Sequence, residues 1–418
     1  MQTPPLTPAD RQAKRLIFLC WLAYTTAYLG RLNFSACLVD IIDTLGTTKQ
    51  AAGLVTSCFF FAYGAGQLIN GILSKRYRPR IVIAAALLVS AGLNVAMPLT
   101  GSIGAMKYLW LANGLVQSVL WSTLLRTLGV RLPQHMMKRA ILVMSTTAAL
   151  GTAAVYGLSA LFVWCATWKL AFFGSAIALA AVAILWFAAF PTEDLRQGEA
   201  ETADENASGG AALPKMTRQA LVPMFAVLLL LAIFTNFIKD GLTTWTPNIL
   251  KELYNFPKAI SIVLTLTLPL LGVFGAFLSV QVNRRIRSFT ALCGTFFAIA
   301  LTATGVLFAC LNLNVWAVTL TGFAITVCAV SAINNVLTSM APLSLRESID
   351  VGLAAGLLNS FCYVGSTLSS VVLGALADSR GWNGVFRLIL AMTALATVIS
   401  FAGSWMERRA GSRQKSPR

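Results

Sequence analysis

Long apolar runs recur from one end of this chain to the other, and the polar breaks between them are short. A helix rises about 1.5 Å per residue, so roughly 20 apolar residues cross a hydrocarbon core of about 30 Å. Every backbone polar group in lipid must be satisfied internally, and runs of this length meet that demand as helices. The apolar runs predict twelve helices, near 15–41, 50–73, 80–99, 105–131, 139–164, 169–190, 220–250, 258–282, 288–310, 314–341, 349–376 and 383–405. With 57% of residues hydrophobic and 11% charged, an ordinary soluble domain is excluded. The first ten residues, MQTPPLTPAD, are polar and the run after Arg15 is already of spanning length, so the first helix is expected to be retained rather than cleaved as a leader.

Charge orients the chain. Basic residues crowd alternate breaks, at Arg11 to Arg15, Lys75 to Arg80, Arg131 to Arg139, Arg196 to Arg218, Arg284 to Arg287, Arg346, and Arg408 to the end. The opposite breaks carry only Lys49, Lys107, Lys169, Lys251, Lys258, Arg380 and Arg387, which predicts that both termini are cytoplasmic. Between the sixth and seventh runs, Thr192 to Pro214 is rich in Glu, Asp, Ala, Gly and Ser, the composition of a solvated linker. The expected domains are therefore a six-helix bundle over 1–191, a cytoplasmic linker over 192–218 and a second six-helix bundle over 219–418. The halves resemble each other weakly: WKLAF from Trp168 and WNGVF from Trp382 each open the last helix of a half, and the basic loop from Gly71 has a partner after Gly275. Parallel repeats of this kind place a substrate site at their interface near the bilayer midplane.

Arg31 lies in the middle of the first apolar run, where an exposed guanidinium would cost a few kcal/mol, so it is expected to face a cavity. Tyr24, Tyr28 and Arg31 stand at i, i+4 and i+7 and share one helical face, an anion receptor in outline. Aligning the halves sets Lys239 opposite Arg31, and two midmembrane cations without matching carboxylates imply an anionic guest. Only Asp240 among the acidic residues lies clearly inside a run, and the single His135 is in a basic break, so a proton relay would rest almost entirely on Asp240. Adjacent residues diverge by about 100° on a helix, so Lys239 and Asp240 are not expected to point together into the cavity. Asn113, Gln117 and Trp121 align at i, i+4 and i+8; with Gln67 they are compatible either with helix packing or with cavity lining. Asn334, Asn335, Asn359 and Tyr363 are polar candidates for the facing wall. Arg126 is expected to act in gating or structure, snorkelling toward the interface rather than touching the guest.

Five stretches in order resemble the organophosphate:phosphate antiporter family of the major facilitator superfamily, which includes glycerol-3-phosphate and hexose-phosphate transporters. They are YLGRLNF from Tyr28, AYGAGQLING from Ala62, LWLANGLVQSVLW from Leu109, KDGLTTWTPNILKEL from Lys239 and GLAAGLLNSFCYVGS from Gly352. The resemblance implies a two-bundle major facilitator fold and a phosphate-binding role for Arg31, and it sets cavity lining level with helix packing for Tyr24, Tyr28, Gln67, Asn113, Gln117 and Trp121, where spacing alone favours packing. Gln67 stands where the family carries a lysine, Lys239 where it carries an arginine, and the fifth-helix histidine falls near Ala148; Ser118 and Leu120 replace two glycines, and Ser74 replaces the aspartate of the superfamily loop motif. Phosphate is gripped best by a bidentate arginine fork and a lysine is only a point charge, so a less highly charged anion such as a carboxylate becomes a serious possibility.

The expected function is secondary transport of a small organic anion by alternating access, a phosphorylated metabolite exchanged for phosphate being the leading class. The alternatives are cation-coupled symport of a sugar acid or other carboxylate and, from another class, a transporter-like membrane sensor. Eight cysteines in apolar segments without paired spacing indicate neither disulfides nor a metal site. No nucleotide loop or nucleophile motif supports an enzyme, and neither a cofactor nor a nucleic-acid partner is expected. Membrane lipid is the expected surrounding, with basic breaks meeting anionic headgroups; the expected protein is a monomer in the bacterial cell membrane.

Overall fold

A computed structural model describes residues 8–73, 76–190, 218–310, 315–345, 348–349 and 351–414. The helices are α1 (Pro8–Ala36), α2 (Leu38–Leu45), α3 (Lys49–Leu73), α4 (Pro79–Ala96), α5 (Ile103–Arg131), α6 (Gln134–Ser145), α7 (Thr147–Cys165) and α8 (Trp168–Ala189). They continue with α9 (Arg218–Tyr254), α10 (Lys258–Thr265), α11 (Thr267–Asn283), α12 (Phe289–Cys310), α13 (Trp316–Asn335), α14 (Ala341–Ser344) and α15 (Val351–Gln414). No strand occurs among the described residues. The expected linker as far as residue 217 and the loop residue Ser74 lie outside them, while Arg218 opens α9.

Several expected rods are bent rather than straight. The first run divides at Cys37 into α1 and α2, the fifth at Thr146 into α6 and α7, and the eighth at Leu266 into α10 and α11. Thr146 and Leu266 keep near-helical backbone angles, so each pair of pieces continues as one bent element. A π-turn over Val336–Met340 joins α13 to α14. Such turns are uncommon and interrupt the regular i to i+4 ladder. Inside α15 the backbone breaks at Gly381 (φ 65°, ψ −175°), between the two runs that the sequence separates there. A side chain at that positive φ would be strained, which is why glycine can turn the chain at this point.

Nine helices among the described residues are long and apolar enough to cross a membrane. Their outer faces carry large exposed apolar side chains such as Ile177, Ile184, Phe274, Phe277 and Val398, a surface suited to lipid rather than water. Helices of the first half meet those of the second through α3 against α15, α7 against α10 and α1 against α9. The first two contacts use matching positions in the two halves: the second element of one half packs on the fifth or its continuation in the other. Close approach along α3 and α15 depends on small residues. A methyl group at Gly53 would strike the Ser370 carbonyl, one at Gly374 the Lys49 carbonyl, and one at Gly64 the Tyr363 side chain. Without hydrophobic drive between helices in lipid, such backbone proximity and interhelical hydrogen bonds supply the attraction.

A candidate anion site between the two halves

Arg31 is 5% exposed and is surrounded by neutral side chains. Its Nε donates to Gln117 Oε1 at 3.1 Å. The guanidinium lies over the rings of Tyr63, Tyr28, Tyr24 and Phe59, with centroids 4.4, 4.8, 5.5 and 5.8 Å from Cζ. A central membrane arginine costs about 2.5–3.5 kcal/mol on insertion scales, and each desolvated cation–π contact returns roughly 0.5–2 kcal/mol. The cage therefore offsets much of the burial without neutralising the charge. Nη2 is buried and has no hydrogen-bond partner among the described residues, so the cage holds a cation with a donor still to be satisfied.

The support for Arg31 comes from α4 and α5. Asn113 Nδ2 donates to the Gly30 carbonyl at 2.7 Å, and Ser90 Oγ donates to Asn113 Oδ1 at 2.7 Å. Gln117 Nε2 donates to Ser90 Oγ at 2.9 Å, which turns its Oε1 toward Arg31. Asn33 Nδ2 reaches Asn94 Oδ1 at 2.8 Å. Asn113 is fully buried in this network, so its hydrogen bonding is spent on holding α1 in place. Gln117 does both jobs.

A second chain of contacts carries the site across to the other half. Tyr24 and Tyr63 hydroxyls are 3.2 Å apart, Gln67 Nε2 donates to Tyr63 Oη at 2.9 Å, and Asn359 Nδ2 donates to Gln67 Oε1 at 2.5 Å. The Tyr63 and Tyr363 rings pack with centroids 4.8 Å apart. Trp121 backs the cage through Tyr24, at 4.6 Å between ring centroids. Tyr156 Oη donates to the Thr243 carbonyl at 3.3 Å, and Ser57 Oγ to the Thr367 carbonyl at 2.6 Å.

Lys239 corrects one expectation. It has a matching carboxylate, because its Nζ lies 3.4 Å from Asp240 Oδ1. Side chains on adjacent helical residues do diverge, but the long lysine stem curls back across the gap. Asp240 Oδ2 accepts a hydrogen bond from Ser366 Oγ on α15. The site thus combines one arginine paired only with neutral groups and one lysine held by a carboxylate. Arg126 is exposed on α5 and does not take part in the cage. In the second half Asn334 accepts from Asn236 Nδ2 at 3.2 Å and Asn335 donates to Ser279 Oγ at 2.9 Å, so both have partners within that half.

Residues absent from the expected site are Phe59 and Tyr63, Ser90 and Asn94, and Ser366. A signal for the first pair was present, since Phe59, Tyr63 and Gln67 repeat at i, i+4 and i+8 as Asn113, Gln117 and Trp121 do. Nothing in spacing alone says which face of α3 meets Arg31. An apolar groove of about 600 Å³, lined by residues of α12 and α13 including Ile299, Val306 and Ile325, shares no residue with the site.

Ion pairs close the interface at one end. Lys251 Nζ meets Asp43, Lys258 Nζ lies 3.1 Å from Asp40 and 3.0 Å from Asp43, and Lys49 Nζ is 3.2 Å from Glu252 and 3.8 Å from Asp378. Backbone N–H groups of Lys49 and Gln50 also donate to Asp378, and Trp382 Nε1 donates to Glu252 at 2.9 Å. Partial burial opposes ionisation of Asp43, but hydrogen bonds from Lys251 and Lys258 prevail and hold its carboxyl below the usual range.

Two halves of membrane helices, sealed at one end and enclosing a caged cation at their interface, define a membrane transporter. The chain belongs to the Major Facilitator Superfamily, whose family model matches residues 20–349. It is 27% identical over 429 residues to the glycerol-3-phosphate transporter of Bacillus subtilis, covering 95% of this chain and 94% of that protein. It is 23% identical to the hexuronate transporter of the same organism, covering 96% and 97%. Among solved structures it resembles a bacterial homologue of the human lysosomal transporter Spinster, in an inward-facing and occupied conformation, with TM-score 0.74, 15% identity and coverage of 95% and 98%. The motif resemblance to glycerol-3-phosphate and hexose-phosphate transporters is borne out by such relatives.

Proposed function

We propose that this protein is a secondary transporter that carries a small organic anion by alternating access, with a phosphorylated metabolite exchanged for inorganic phosphate as its leading substrate class. The observation that carries the reading is Arg31, buried at the contact of the two halves with Nη2 unpaired inside a cage of aromatic rings. An oxyanion placed there gains a charge-assisted hydrogen bond that water does not contest. Similarity to a glycerol-3-phosphate transporter over nearly the whole chain supports the phosphorylated class. In this reading twelve spans form two bundles, 1–191 and 219–418, joined by the segment 192–218. Both termini are cytoplasmic by the distribution of Lys and Arg, the ion-paired end faces outward, and a monomer sits among lipids in a bacterial cell membrane.

A second reading, cation-coupled symport of a sugar acid, is favoured by the Lys239 to Asp240 pair and by the similarity to a hexuronate transporter. With one lysine neutralised, the site has the charge balance for a single carboxylate. Reconstituted vesicles separate the two. Uptake of labelled glycerol 3-phosphate that requires internal phosphate supports exchange. Uptake of glucuronate driven by a pH gradient and lost in Asp240→Asn supports symport. Vesicles that perform neither, with these or other sugar phosphates and sugar acids, would refute transport of this anion class.

A further inference from the structure

We infer that Asp240 sets the charge of the guest: by holding Lys239, it makes the site a receptor for one negative charge, and its loss would convert the site to one that prefers a dianion. The inference rests on the proposed transport of an organic anion and names the charge class that the same site takes, a carboxylate or a phosphate monoester in its singly charged form.

Three charged side chains belong to the candidate site, Arg31 on α1 and the Lys239–Asp240 pair on α9. Arg31 makes its described contacts with Gln117, Tyr24, Tyr28, Tyr63 and Phe59, all uncharged. The Tyr63 ring under Arg31 packs on Tyr363 of α15, 4.8 Å between centroids, and Ser366, about one turn further along α15, holds Asp240. That path of contacts connects the two charged centres into one candidate site. Within it the formal sum is one positive charge, since Lys239 and Asp240 cancel at 3.4 Å. Both carboxylate oxygens are engaged, one by Lys239 and one by Ser366 on another helix, so Asp240 is fixed toward the lysine rather than free to swing away. An anion approaching Arg31 meets the full field of the guanidinium but only a screened lysine. A second negative charge meets no unpaired cation among the described residues of the site.

Replacing Asp240 by Asn removes the negative charge while the amide oxygen can still accept from Ser366. Lys239 is then free, and the sum becomes two positive charges. Replacing Lys239 by Gln has the opposite effect, leaving Asp240 to repel the guest. The pair makes a test with predictions of opposite sign.

Two matched ligand pairs measure the effect: glucuronate against glucose 6-phosphate, and glycerate against glycerol 3-phosphate, each pair sharing a carbon scaffold and differing in charge at a pH near 8. Binding to purified protein is followed by isothermal titration. In Asp240→Asn the preference for the phosphate over the carboxylate should rise roughly tenfold or more, the scale of a close charge in a desolvated site. In Lys239→Gln it should fall by a comparable factor. The double variant restores a sum of one positive charge and should return the ratio to near that of wild type, which a packing defect would not do. If Asp240→Asn does not fold, the fall in Lys239→Gln and its reversal in the double variant carry the test. Ratios unchanged in the single variants, while Arg31→Ala abolishes binding, would overturn the inference and leave the transport reading standing. Failure of all four ligands to bind wild type would bring down both.

Discussion

At the residue scale the centre separates Arg31, the proposed binding group, from its supports. Arg31 has one described hydrogen bond from a side chain with five N–H donors, and its ring contacts offset burial without using the unpaired Nη2. Arg31→Ala should therefore abolish anion binding while leaving the protein folded. A ligand at 100 times its Kd stabilises by about 2.7 kcal/mol, so thermal unfolding with and without glycerol 3-phosphate should show a shift in wild type and none in the variant. Asn113 should behave in the reverse manner. It is fully buried and ties the Gly30 carbonyl to α5, so Asn113→Ala should lower stability by about 1–3 kcal/mol yet keep a ligand-dependent shift. Helical spacing alone made Asn113, Gln117 and Trp121 equivalent, because it reports a shared face and not what that face meets. The packed helices distinguish them: Asn113 braces α1, Gln117 braces and touches Arg31, and Trp121 stands behind Tyr24. Arg31 itself was legible because an arginine amid apolar residues has few tolerable places to go. The carboxylate beside Lys239 was in plain view as the next residue, but a helical-wheel argument treats side chains as spokes and misses a lysine stem that bends.

At the element scale the apolar runs located the helices well, because a spanning helix needs an uninterrupted stretch and charged breaks mark its ends. The breaks at Cys37 and Thr146 were not legible. No Pro or Gly adjoins Cys37 or Thr146, whereas the break at Leu266 carries a mark in Pro269, whose missing N–H and ring disrupt the bond to the Thr265 carbonyl. Gly381 was legible as punctuation between two runs, and its positive φ gives the reason. The most consequential element contact is that of α3 with α15, where Gly53 faces the Ser370 carbonyl. A valine there cannot be accommodated by turning a flexible side chain, since the obstacle is backbone. Gly53→Val should therefore disfavour the sealed arrangement and reduce transport at least about tenfold, the effect of roughly 1.4 kcal/mol on a two-state equilibrium. Spin labels placed on α3 and α15 near their Lys49 and Asp378 ends should report a longer distance in the variant. An unchanged distance would count against this contact as the one that limits closure.

At the scale of the whole molecule, alternating access requires that the sealed end open, so the forces holding it must be modest. Three lysines and four carboxylates meet there: Lys49, Lys251 and Lys258 with Asp40, Asp43, Glu252 and Asp378. All but the buried Asp40 are partly exposed, and exposed pairs of that kind contribute about 0–1 kcal/mol each, less in salt. A latch of such pairs suits a carrier, whereas a dry core of equal area would hold the halves shut. Lys258 is the informative member because it alone bridges Asp40 and Asp43 from the start of α10. Lys258→Gln should shift the equilibrium toward the state open at this end by about 1 kcal/mol, near fivefold in population. The same end should respond to acid. Asp43 has its carboxyl held below the ordinary range, so the stability it contributes is full above that range and is lost as pH falls through the lowered value in the sealed state. Opening should therefore increase below about pH 4, the ordinary Asp value, and Asp43→Asn should remove part of that response. Distances between spin labels on α2 and α10, measured from pH 7 to pH 3 at low and high salt, check both effects together. Populations that do not move with Lys258→Gln, acid or salt would mean that the seal is made by helix packing instead, and the ion pairs would then be passengers of a closure driven along α3 and α15.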